Sequence, residues 1–257
     1  MESRRLAAVV TILSVVMATG AAFQERRPEG GDPRSIIDHI DRMLRGDSSR
    51  GSVEMSVATP EWKRLTRMTI WSRGTDEVLI RVELPKKDEG TATLRSGGSI
   101  WNYLPKIDRV IRVPTSMMMA AWMGSHFTND DLVKESRLVR DYDIKTTYEG
   151  TRDGTGLYEF LLTPRPEAPV VWGRIEYQVR RRDLMPVWAR FYGEDGVLRR
   201  TATFTDYKTM GGRLVPSRMR MTPEDKPGSY TELHYLSLEF NLAIPARTFS
   251  LNALKDR

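Results

Sequence analysis

Apolar and polar positions alternate along most of this chain, and the period changes at only a few places. The first apolar run, residues 6–17, does not alternate. It follows Arg4 and Arg5 and ends in the small residues Ala18-Thr19-Gly20-Ala21-Ala22. A basic start, an apolar middle and small residues before a cleavage point form the layout of a secretory signal peptide. The sequence predicts a leader over residues 1–22, cleaved near Ala22, with an uncleaved N-terminal anchor as the rival. After a polar lead with Pro and Gly, Ile36, Ile37, Ile40, Met43 and Leu44 recur at helical spacing. Asp32 or Ser35 is placed to cap this helix, and Gly46 lies just past its end.

From Trp62 onward the period is two. Residues 62–71 alternate imperfectly, and Glu77–Leu84 puts Val78, Ile80, Val82 and Leu84 on one face. Gly97-Gly98 joins residues 91–96 to residues 99–104 with a two-residue hairpin signal. Further strand runs cover residues 109–113, 142–149, 157–162, 174–180, 184–192, 197–207, 214–221 and 230–239. A short terminal segment follows at 249–254. Turn residues punctuate these runs and no strand–helix–strand alternation occurs. The pattern predicts a mainly antiparallel β fold with few helices (α+β), a meander of about ten strands in one domain over residues 23–257.

Two helical candidates interrupt the strands. In residues 115–123, Met118 and Trp122 are four apart, as are Met119 and Met123, which makes one apolar face. In residues 127–135, Thr128 is followed three positions later by Asp131, a capping-box spacing.

Composition narrows the chemistry. The chain has 257 residues and no Cys, which excludes a disulfide scaffold, a thiolate metal site and a thiol nucleophile. Its net charge of +6 is spread along the chain and does not point to nucleic acid. The three His, at 39, 126 and 234, show no metal spacing. No G-x-S-x-G, Walker loop or dinucleotide fingerprint occurs. Asn129-Asp130-Asp131 is read as a capped helix start. The expectation is a protein that is not an enzyme and holds no cofactor or metal.

The positive signal is a surplus of apolar side chains relative to the helix available to cover them. Trp62, Met68, Ile70, Val78, Ile80, Val82, Trp101 and Tyr103 are expected to line a cavity on the apolar face of the sheet. Met118, Met119, Trp122 and Met123 are expected on a helical lid over it. Flexible Met suits ligands of varied shape. Trp71 is out of phase with Met68 and Ile70 and is expected on the other face.

Three stretches carry a family resemblance: Ser99-Ile100-Trp101-Asn102-Tyr103-Leu104-Pro105-Lys106, then Arg109-Val110-Ile111-Arg112-Val113-Pro114, then Met123-Gly124-Ser125-His126-Phe127-Thr128-Asn129-Asp130-Asp131-Leu132. The N-terminal helix and the closing Asn241-Leu242-Ala243-Ile244-Pro245 with Phe249-Ser250 fit as well. The chain resembles the outer-membrane lipoprotein-sorting proteins, the LolA-like carriers. That resemblance implies a curved half-barrel with helices on its concave side. It also implies a periplasmic carrier of acyl chains of a lipid or lipoprotein, served by an inner-membrane export permease and an outer-membrane acceptor. A non-carrying accessory or scaffold subunit of an envelope export system is the alternative. In such carriers a strand Arg helps hold the closed state, and the sequence singles out no one Arg for that part.

Overall fold

The computed structural model describes residues 31–134 and 138–256; the expected leader, residues 1–22, lies outside them. Helix α1, Pro33–Arg42, starts on Asp32, whose carboxylate accepts from the Ser35 backbone N–H at 3.0 Å. Six strands follow: β1 Ser48–Ala58, β2 Lys63–Arg73, β3 Glu77–Leu84, β4 Ala92–Ser96, β5 Ser99–Leu104 and β6 Arg109–Arg112. A connector over residues 113–128 leads to α2, Asn129–Lys134, and α3, Leu138–Asp141. Seven more strands complete the order: β7 Tyr142–Arg152, β8 Thr155–Pro164, β9 Arg174–Arg180, β10 Pro186–Tyr192, β11 Leu198–Met210, β12 Arg213–Pro223 and β13 Tyr230–Phe240. They form one open, curved antiparallel sheet in the order β6-β5-β4-β3-β2-β1-β13-β12-β11-β10-β9-β8-β7.

The sheet has thirteen strands where the turn spacing predicts about ten. The strand with no sequence signal is β1. Its inward positions Val53, Met55 and Val57 alternate, but the preceding ones are Ser49 and Gly51, which carry no apolar mark. Gly51 lets the two strands approach closely there. A Cβ would stand 3.1 Å from the Ser237 carbonyl oxygen of the neighbouring strand β13.

Both faces of the sheet are used. On the concave face α1 buries Ile36 and Ile37 among Phe160, Leu162, Ile175, Val179 and Ala202. The connector packs Trp122 against Val53, Met55, Val57, Met68 and Ile80. On the other face the C-terminal segment lays Phe249 and Leu254 on Leu79, Ala92 and Leu94, with Trp71, Trp101 and Tyr103 around them. Trp71 thus takes the face its phase predicts.

The predicted helix over residues 115–123 does not form. Instead there are two short 3-10 turns, Thr115–Met117 and Trp122–Gly124. Met123 and Gly124 adopt left-handed backbone, with φ of 50° and 66°. The carbonyls a helix would use are taken by the start of α2. The Asp130 N–H donates to the Met118 oxygen at 2.8 Å, and Asn129 Nδ2 to the Met117 oxygen at 3.0 Å. An isolated helix of about two turns is unstable, so these tertiary partners prevail. The capping box at α2 does form, with Thr128 N–H on Asp131 Oδ2 at 2.7 Å and Asp131 N–H on Thr128 Oγ1 at 3.2 Å.

Candidate functional site

The concave face, α1 and the connector enclose a cavity of about 250 Å³. Its walls come from both halves of the sheet: Met68, Ile70, Val78 and Ile80 from β2 and β3, and Ile175, Tyr177, Phe191, Phe204, Met219 and Leu233 from β9–β13. Ile40 and Leu44 close it from the α1 side, and Trp122, Phe127 and Leu132 from the connector and α2. The strands that reach it contribute alternate residues, as Met68 and Ile70, Val78 and Ile80, and Ile175 and Tyr177 show, which is why one face supplies a continuous apolar wall.

Trp122 lines the cavity from the connector, as Phe127 does. Trp122 is 4% exposed, and its Nε1 donates to Thr93 Oγ1 at 3.2 Å. Thr93 Oγ1 in turn donates to Asn102 Oδ1 at 2.8 Å. The tight turn behind Trp122 is held by Trp122 N–H on the Phe127 oxygen and by Ser125 Oγ on the Trp122 oxygen. Arg64 at the start of β2 donates to the Met123 carbonyl oxygen.

Charged groups sit at the cavity wall in paired form. Arg200 on β11 grips Asp131 of α2 in a bidentate pair, at 2.8 and 2.6 Å, and lies over the rings of Trp172 and Phe191. Arg95 on β4 donates to the carbonyl oxygens of Leu132 and Thr75, both at 2.6 Å. These contacts fasten α2 to both halves of the sheet. Tyr142 donates to the Trp172 carbonyl oxygen at 3.3 Å, and burial pushes its hydroxyl above the ordinary tyrosine range, helped by the Asp141 and Asp130 carboxylates.

His126 anchors the connector to β13. Its backbone N–H donates to Thr231 Oγ1 at 2.9 Å, and its Nδ1 lies 2.8 Å from the same oxygen. Thr231 Oγ1 accepts the backbone proton and gives its own to Nδ1, which makes the neutral Nε2–H tautomer the fitting one. Burial holds the imidazole below its ordinary pKa, with the Lys226 ammonium acting the same way and Asp225 opposing. Among the described residues, no group of three or more His, Asp or Glu is gathered to hold a metal ion.

The sequence-chosen residues divide. Met68, Ile70, Val78, Ile80 and Trp122 line the cavity, and Met123 packs in the same cluster. Val82 is buried opposite Met68 in the β2–β3 ladder. Trp101 and Tyr103 are on the wrong face for the cavity. The Gly97-Gly98 hairpin pairs Ser96 with Ser99 and hence Leu94 with Trp101, so both aromatics join the outer cluster while Ile100 and Asn102 point inward. Trp62 precedes β2 and is 47% exposed. Met118 is half-buried and Met119 exposed, because no helix forms to turn them toward the cavity. The far wall, from Tyr142 to Tyr235, was not chosen from sequence, although the alternation Ile175, Tyr177, Val179 marks one inward face of it.

Residues 74–256 match a family described as an uncharacterized protein. The chain belongs to that family. Three solved structures share its fold. An outer membrane lipoprotein-sorting protein domain from Vibrio parahaemolyticus is 24% identical over 87% of this chain and 98% of its own, with a TM-score of 0.75. A DUF1329 family protein from Desulfovibrio piger is 22% identical, over 86% and 97%, with a TM-score of 0.77. A LolA superfamily protein from Nitrosomonas europaea is 22% identical, over 86% and 98%, with a TM-score of 0.72. The LolA-like resemblance read from residues 99–132 is borne out, and the LolA-like fold is that of the whole described chain. No curated protein matches the sequence.

Proposed function

We propose that this LolA-like chain is a periplasmic carrier that binds the acyl chains of a lipid or lipoprotein in the concave cavity and shuttles them toward the outer membrane. The observation that carries the reading is the cavity itself: an apolar space between two halves of one sheet, walled from the connector by Trp122 and Phe127. Burying an acyl chain is worth about 0.8 kcal/mol per methylene, so a chain of roughly 16 carbons needs a comparable apolar host to leave a membrane. At about 250 Å³ the cavity is smaller than most ligand sites, which start at about 300 Å³. A long chain enters only as Trp122 withdraws, and the connector then acts as the lid. Arg64 donates to the Met123 carbonyl oxygen beside this lid. The carrier itself needs no cofactor and performs no catalysis. Loading falls to an inner-membrane export permease and unloading to an outer-membrane acceptor. Among the described residues no helix is long and apolar enough to cross a membrane.

Native mass spectrometry of protein purified without detergent tests the proposal. The expected result is a bound species with the mass of an acylated lipid, exchangeable for a fluorescent fatty acyl probe. A protein that carries no apolar ligand and takes up no probe is the accessory subunit instead, and the carrier reading fails.

A further inference from the structure

We propose that the β6 edge of the sheet docks on an anionic lipid surface. Of the twelve large apolar residues exposed among the described ones, five fall within residues 104–119: Leu104, Ile107, Ile111, Met117 and Met119, each between 37% and 60% exposed. They follow one another along the end of β5, the turn Pro105–Ile107, the strand β6 and the turn Thr115–Met117. Strand β6 pairs with β5 on one side and is the edge of the sheet on the other.

The charges of the same stretch are mostly basic. Lys106, Arg109 and Arg112 are exposed. The one acid, Asp108, is held by Lys255 at 3.0 Å and by the Tyr103 hydroxyl at 3.2 Å. Basic side chains alone would suffice to protect a strand edge from pairing with another strand. They do not account for Ile107, Met117 and Met119, which lie outside β6 and stay in water. Aliphatic tips among Lys and Arg are the chemistry of a surface that inserts shallowly between anionic headgroups. A protein strand added to β6 would satisfy its backbone but leave Ile107 and Met119 uncovered.

This surface goes beyond the carrier reading and does not depend on what the cavity holds. It also lies beside the cavity wall in the chain: Trp122 is three residues past Met119. Docking there brings the lipid surface to the connector.

The chain has no Cys, so single cysteines can be labelled cleanly. Ile107→Cys, Met119→Cys and a control on the β10–β11 turn, Val197→Cys, would each carry an environment-sensitive fluorophore. They would be mixed with phosphatidylglycerol-containing vesicles or with pure phosphatidylcholine vesicles. The expected result is a blue shift at 107 and 119 with the anionic vesicles, weakened by salt. No shift is expected at 197 or with the neutral vesicles. Adding Lys106→Gln, Arg109→Gln and Arg112→Gln to the Ile107→Cys chain should weaken binding by about fivefold per charge removed. The melting temperature should stay unchanged, because all three side chains are exposed. Labels at 107 and 119 that stay in water with every vesicle overturn the proposal, as does a triple variant that binds like its parent. A blue shift seen only with native membranes that retain their proteins also overturns it, since the partner is then a protein. Because the label reads insertion and not ligand uptake, a failed carrier test leaves this result standing, and the reverse holds too.

Discussion

Trp122 and His126 bracket a turn in which Met123 and Gly124 both take left-handed backbone, so a strained connector is pinned by the two side chains at its ends. Trp122 was legible in the sequence as an apolar residue of the connector, while its partner Thr93 was not, because that hydrogen bond crosses 29 residues. Trp122→Phe keeps most of the packing and removes the bond to Thr93, so a loss of about 1 kcal/mol is expected from thermal melting. Trp122→Ala should lose about 3 kcal/mol and yet take up a fluorescent acyl probe faster, because the indole is gone. Slower uptake would show that Trp122 recruits ligand and does not block it. His126 titrates in an informative direction. Its folded pKa lies below the ordinary 6.5, so folding favours the neutral ring. The stability it contributes is complete above the ordinary value. It is lost as the pH falls from there toward the folded value, and no more is lost below that. His126→Asn keeps an acceptor for Thr231 and removes the titration. Between pH 7 and pH 5 the melting temperature of the natural chain should therefore fall more than that of the variant. Parallel curves would mean that His126 takes up its proton equally in the folded and unfolded states.

At the scale of elements, α2 is short and depends on others for its place. Its capping box was readable from Thr128 and Asp131 because the spacing is local. The second use of Asp131, gripping Arg200 across 69 residues, had no local mark. Arg200 is flanked in sequence by Arg199 and Thr201, and nothing distinguishes it from the many exposed arginines of this chain. With the Arg200 side chain 7% exposed, Asp131→Asn keeps the cap acceptor but leaves a buried guanidinium without a counter-charge. A loss of about 3 kcal/mol or more is expected in urea denaturation. Arg200→Met added to it should recover part of that loss, since no unpaired charge then remains. Hydrogen exchange in residues 115–131 should quicken in the single variant, because the pair ties α2 to β11. The failed helix over 115–123 belongs to the same scale. Its Met and Trp spacing suited a helix, but its carbonyls found the N–H groups and the side chain of the α2 start first.

The whole molecule is a sheet with unequal covers. One face holds α1, the connector and the cavity, and the other holds the C-terminal segment. If the cavity binds acyl chains, a probe at a hundredfold excess over its Kd should stabilise the folded state by about 2.7 kcal/mol. In a chain of this size that is a rise of about 5–10 °C in Tm. Equal melting of loaded and empty protein would place the probe outside the native cavity. The strand periods, the hairpin at Gly97-Gly98, the cap of α1 and the family resemblance were all determined by sequence. Each depends on residues a few positions apart, where spacing dictates which side chains share a face. The number of strands, the face taken by Trp101 and Tyr103, and the partners of Trp122 and Arg200 were decided only in the folded chain. Strand phase is a relative quantity, set by which neighbour pairs with which register. A buried charge or a buried indole is defined by atoms that arrive from distant strands, and the sheet brings those together only when it curves.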